Sequence, residues 1–153
     1  MKKFLVGILA AGALSSCSTG DDNLPDYNDI PDYSNSIIVG TWKIQTQYQI
    51  SGKDKTTVIS ETLPDDCKKK STYEFKNDGK YAMIDYNTVN SNCEKTEMTS
   101  SYQYDPVTMK LTINNIENSV LELSSSKLTY LAPVNQDFNA DGVNDYIKYI
   151  YFK

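Results

Sequence analysis

From residue 37 onward, apolar and polar residues alternate with a period of two, the pattern of strands with one buried and one wet face. Trp42, Ile44, Thr46, Tyr48 and Ile50 alternate with Lys43, Gln45, Gln47 and Gln49. A second run, 56–63, follows Ser51-Gly52, and in a third Tyr73 and Phe75 alternate with Thr72, Glu74 and Lys76. Asn77-Asp78-Gly79 predicts a hairpin into 80–87, because Asn and Gly accept the positive φ of a tight turn. Further strands are predicted at 98–104, 109–113, 119–123, 127–132 and 146–152, divided by turns at Asp105-Pro106, Asn114-Asn115 and Ser124-Ser125-Ser126. No stretch here has helical periodicity. Eight or nine short strands with short connections predict an all-β fold, an antiparallel up-and-down meander. Closing it into a barrel removes unpaired edges. Residues 37–153 suffice for one core and leave no room for a second.

The chain before this domain reads differently. Met1-Lys2-Lys3 precedes an uncharged apolar run, Phe4 to Leu14, and then Ser15-Ser16-Cys17. A charged start, an apolar stretch of about 7–15 residues and small residues before a cut describe a signal peptide. The run is too short to span a bilayer, which takes about 20 apolar residues. Leu14-Ser15-Ser16-Cys17 resembles the lipobox of bacterial lipoproteins. That resemblance implies cleavage after residue 16, a diacylglycerol on the Cys17 thiol and an acylated new amine. Several acyl chains anchor firmly, so the expected location is the cell envelope, most simply the outer membrane. Residues 17–36 form an acidic tether with Asp21, Asp22, Asp26, Asp29, Asp32, Pro25 and Pro31, and with a duplicated Pro-Asp-Tyr. Prolines and like charges keep such a segment extended. Asp21 and Asp22 also resemble the acidic address that sends some Gram-negative lipoproteins to the cell surface.

Charge narrows the function. The 15 basic residues, all lysine, face 20 carboxylates for a net charge of −5, and histidine is absent. A nucleic-acid partner, which needs clustered Lys and Arg, is not expected. Nor is an enzyme: the usual general base is missing, no serine sits in a nucleophile motif, and Asp65-Asp66, Glu94 and Glu97 lack any context that would raise a carboxyl pKa. Asp65-Asp66-Cys67-Lys68-Lys69-Lys70 reads as a solvated charged loop.

Cys67 and Cys93 flank the hairpin centred near Asp78 almost symmetrically, which predicts a disulfide at its base, persistent on the oxidising side of the membrane. Two free thiols or a metal pair is the alternative, and two cysteines without histidine make a poor zinc site.

Gly40-Thr41-Trp42 at the start of the first strand resembles the Gly-x-Trp opening of lipocalins. Ile38-Val-Gly-Thr-Trp-Lys43, Tyr73-Glu-Phe-Lys-Asn-Asp-Gly-Lys-Tyr81 and the flanking cysteines resemble small lipocalin-like lipoproteins of Gram-negative bacteria, over residues 37–153. The resemblance implies that Trp42 plugs one barrel end. Lipocalins often pack a last-strand arginine over this tryptophan; here only Lys148 or Lys153 could substitute.

Asp137-Phe-Asn139-Ala-Asp141-Gly142-Val143-Asn144-Asp145 fits the calcium-loop pattern D-x-N-x-D-G-x-x-D. Its oxygen ligands would be Asp137, Asn139, Asp141, the Val143 carbonyl and Asp145, with Gly142 at the sharp turn. It resembles the loops of dockerins, thrombospondin type 3 repeats and integrin propellers, although position twelve is Lys148 where EF-hands carry glutamate. Ca2+ would order a long loop at the barrel rim. The competing reading is a polar turn rich in Asn, Asp and Gly.

Two functions follow. One is a binding module for a small apolar or amphipathic ligand, with Tyr48, Tyr73, Tyr81, Tyr130 and Tyr149 as candidate interior hydroxyls; no ligand residue is assigned. The other is an interaction, accessory or inhibitor module for an envelope protein, with tyrosines filling the barrel.

Overall fold

Left-handed turns set the topology. The computed structural model describes Tyr33 and residues 36–153; the signal, Cys17 and nearly all of the tether lie outside the described residues. Asn90 and Ser91 (φ 49° and 67°) and Asn114 and Asn115 (φ 50° and 63°) form tight turns whose twist matches the strands they join. Gly79 (φ 75°) turns the predicted hairpin.

The strands are β1 (Gly40–Ile50), β2 (Val58–Thr62), β3 (Thr72–Phe75), β4 (Lys80–Val89), β5 (Asn92–Asp105), β6 (Lys110–Ile113), β7 (Ile116–Leu123), β8 (Lys127–Pro133) and β9 (Tyr146–Phe152), with one 3-10 turn at Lys68–Lys70. All pairings are antiparallel and run in sequence order from β3 to β9. β1 pairs with β9 along one edge; on its other edge it takes β3 near Trp42 and β2 near Tyr48. Eight strands thus close a barrel and β2 is an extra strand on its wall. This is the predicted all-β meander.

β5 begins at Asn92, six residues before the predicted start. Residues 92–97 are exposed on both faces, so they lack the alternation that marks a strand; pairing with β4 holds them. A bulge in the β1–β9 ladder between Ile44 and Thr46 reverses the alternation of β1. Gln47 then faces inward opposite Tyr149, and Tyr48 faces outward opposite Lys148, whose ammonium lies 4.6 Å from its ring centre. Tyr48 is therefore no interior hydroxyl.

The barrel's base is solid. Trp42, Phe75 and Tyr102 are almost wholly buried in one cluster with Ile38, Ile44, Tyr73, Tyr81, Leu111 and Leu128. The Trp42 Nε1–H donates to the Ile38 carbonyl at 2.8 Å. Lys153, at the end of β9, places its ammonium 4.3 Å from the Trp42 ring centre and donates to the Ile37 and Val39 carbonyls at 2.9 and 2.8 Å. It occupies the place expected of arginine, and burial pushes its pKa down. Lys153→Met is expected to lower unfolding stability by about 1–2 kcal/mol through the lost cation–π contact and hydrogen bonds, measured as a urea midpoint. Tyr33, from the second Pro-Asp-Tyr copy, docks at this same end, stacked on Tyr102 at 5.0 Å, with its hydroxyl accepting from the Tyr104 N–H.

Candidate functional site

Above the base, the barrel interior is lined by tyrosine. Register places Tyr81 on β4, Tyr130 on β8 and Tyr149 and Tyr151 on β9 on the inner face. Tyr130 and Tyr151 stack at 5.7 Å, Tyr149 and Tyr151 at 5.9 Å, and Tyr73 meets Tyr151 edge-on at 4.9 Å. Burial drives the hydroxyl pKa of Tyr130 and Tyr151 upward, and the two hydroxyls lie 3.3 Å apart. Met83, Met98, Ile113 and Ala132, farther up, pack on this tyrosine floor and are only half-buried. The interior is thus filled below and less tightly enclosed above.

The wall has a gap at the open end. β3 has four residues and pairs only with Tyr81 to Ile84, which leaves the rest of that β4 edge without a strand neighbour. Residues 63–71 cross the gap as a strap. The Tyr86 N–H donates to Ser71 Oγ at 2.8 Å, and Thr88 Oγ1 donates to Asp65 at 2.6 Å. Cys67 and Cys93 form the predicted disulfide, with Cα atoms 5.3 Å apart. As expected, it lies at the base of the β3–β4 hairpin, at the end of β4 away from the turn at Gly79, where it ties the strap to the tip of the β4–β5 hairpin.

Lys68 is the residue the sequence reading missed. Its side chain is 23% exposed, so it is no solvated loop lysine, and it meets Asp85 at 2.6 and 2.8 Å. Asp85, 14% exposed, also accepts from the Tyr73 hydroxyl at 2.8 Å and from Asn87 Nδ2 at 2.9 Å. Burial opposes the Asp85 charge, but these hydrogen bonds outweigh it and hold the carboxyl below the usual carboxylate range. Burial and the Asp85 bond push the Tyr73 hydroxyl well above its usual range. The available signal was an acid on the inward phase of β4, after Tyr81 and Met83. Between the strap and β1 lies a cleft of about 190 Å³, lined by Ile44 and Gln47 of β1, Thr62 of β2, Leu63, Pro64, Asp65 and Lys68 of the strap, and Asn87 of β4.

A carboxyl with a folded pKa below its unfolded one contributes stability above the unfolded value and loses it as pH falls toward the folded one. Acidification from about pH 5 to about pH 3 is therefore expected to weaken the domain. Asp85→Asn is expected to make that decline shallower, as read from urea midpoints at both pH values.

The candidate calcium loop joins β8 to β9 at the same end. Asp137 accepts from the N–H groups of Asp141 (3.2 Å) and Gly142 (2.7 Å), Asn139 from Asp141 (3.1 Å), and Asp141 from Val143 (3.0 Å). Gly142 takes φ +87°. Asp145 turns inward, 1% exposed, and its two oxygens accept from the Gly52 N–H at 2.7 Å and the Phe138 N–H at 2.6 Å. It pins the loop to the β1–β2 turn, where any Cβ at Gly52 would overlap the Asn144 carbonyl. Among the described residues, no three Asp, Glu, Cys or His side chains converge as a metal site.

A family model described as lipocalin-like domain matches residues 38–130. No curated protein matches the chain. Among solved structures, a deswapped triple mutant of bovine odorant-binding protein is 14% identical, with 77% of this chain and 74% of that chain covered and a TM-score of 0.42. The bovine lipocalin allergen Bos d 2 is 15% identical, with 77% and 73% covered and a TM-score of 0.44. Aphrodisin, a sex pheromone from female hamster, is 15% identical, with 76% and 74% covered and a TM-score of 0.40.

Proposed function

The chain belongs to the lipocalin-like domain family, and from that premise we propose that it is an envelope lipoprotein, anchored through Cys17 in the outer membrane, whose barrel binds a small amphipathic ligand at its open end. The family fold is typically one of binding and transport, in keeping with a chain that has no histidine. The observation that carries the ligand reading is the cleft beside the strap. It sets apolar Ile44, Leu63 and Pro64 against polar Gln47, Lys68 and Asn87, the mixture an amphipathic guest requires. Its volume, about 190 Å³, suits a smaller guest than a deep calyx would hold. Binding of 1-anilinonaphthalene-8-sulfonate by the purified chain, and its displacement by short-chain amphiphiles, tests this; absence of any displaceable probe sinks it.

The anchor has its own test. Cys17→Ala, or globomycin, is expected to move the protein from the membrane to the soluble fraction.

We also propose that Ca2+ occupies the Asp137-to-Asp145 loop from Asp137, Asn139, Asp141 and the Val143 carbonyl, with Asp145 bracing the loop from behind. Millimolar external calcium would fill even a site with a Kd on the order of 10⁻⁴ M. Millimolar Ca2+ is expected to raise the melting temperature; a flat calorimetric titration with no melting shift removes the metal.

The stacked tyrosines also favour a second reading, a filled barrel that docks an envelope protein. Recovery of one stoichiometric partner from detergent-solubilised membranes, without probe binding, would favour it.

A further inference from the structure

We propose that the guest of the strap cleft is an organic cation, a small alkylammonium that takes the place of Lys68 at Asp85. This rests on the ligand-binding reading above and names the chemistry of its site. Asp85 belongs to the wall, fixed in the ladder opposite Thr96 of β5. Its neutral donors, Tyr73 and Asn87, belong to wall strands as well. Its cation does not. Lys68 starts the 3-10 turn of the strap, lines the cleft, and among the described residues is the one cation within 4.0 Å of the Asp85 carboxylate.

Fixed anion and movable cation give the site a sign. An incoming ammonium can displace Lys68 toward solvent and leave Asp85 paired. An incoming carboxylate would have to draw Lys68 away, leaving a half-buried charge without its partner, or sit beside a like charge; both are costly. The surroundings agree. Asn87 Oδ1 already accepts from the Lys68 ammonium at 3.3 Å. Ile44, Leu63 and Pro64 remain for a short apolar tail. The chain supplies the template itself, because the lysine side chain held there is an alkylammonium.

The test compares octylammonium, octanol and octanoate, equal in tail and different in charge, by calorimetric titration into the purified Cys17→Ala chain. Octylammonium is expected to bind at least ten-fold tighter than octanol, and octanoate more weakly than either. Asp85→Asn keeps the size of the side chain and is expected to reduce the ammonium preference over octanol below two-fold while octanol binding persists. Lys68→Gln removes the competing cation and is expected to tighten octylammonium several-fold. Preferential binding of octanoate, or an ammonium preference that survives Asp85→Asn, overturns the cation assignment and leaves the ligand-binding reading standing. Binding of none of the three overturns both.

Discussion

Trp42→Ala is expected to destabilise the domain by about 3–5 kcal/mol, the range for removing a fully buried large aromatic. The indole is 0% exposed and centres the cluster that closes the barrel base. Truncation removes its dispersion contacts, leaves the Ile38 carbonyl without its buried donor, and takes the ring from beneath Lys153. Trp42→Phe keeps most of the bulk and loses chiefly the Nε1–H bond, so about 1–2 kcal/mol is expected. Trp42 is the single tryptophan, so urea unfolding should be followed by tyrosine emission or circular dichroism. A loss below about 1 kcal/mol for the alanine variant would mean that the base is not closed by this ring.

The Cys67→Ser/Cys93→Ser double variant is expected to lose about 3.5 kcal/mol on the chain-entropy model, which counts the freedom an unfolded chain regains when a loop of this length opens. The bridge spans 26 positions and encloses the second half of the strap, β3 and the whole of β4. Reduction should also act locally. The strap would then be held by the Lys68 ammonium on Asp85 and Asn87, the Thr88–Asp65 bond and the Tyr86–Ser71 bond. Trypsin is therefore expected to cut at Lys68, Lys69 or Lys70 of the variant under conditions that leave the barrel intact, and the oxidised protein should resist. Equal cleavage of both forms would show that the bridge does not restrain the strap.

Alternation revealed most strands because one face of each is dry. It failed where that condition lapses. Residues 92–97 project with both faces wet, so nothing in their order distinguishes strand from loop until β4 is placed beside them. It also misplaced Tyr48, because one extra residue at a bulge reverses every later side chain while the letters still alternate. The cleft was the least legible part. Three consecutive lysines look equally solvated on paper, and only the shortness of β3 decides that the first of them reaches into the wall. Asp145 illustrates the same limit: its spacing fits a metal ligand, and its burial on two backbone N–H groups follows from a turn 93 positions away.

Both ends of the described chain meet at one pole, where the Lys153 ammonium grips the Ile37 and Val39 carbonyls and Tyr33 lies against Tyr102. The opposite pole is made of connections alone: the β1–β2 turn, the strap, the β4–β5 tip and the β8–β9 loop. Closure and recognition are thus written in separate stretches of sequence. Descendants of such a protein can lengthen, shorten or recharge the recognition pole without disturbing the seam that shuts the barrel. With the proposed anchor at Cys17, the tether would enter at the seam pole, where Tyr33 lies, and the opposite pole would be the one left facing away from it.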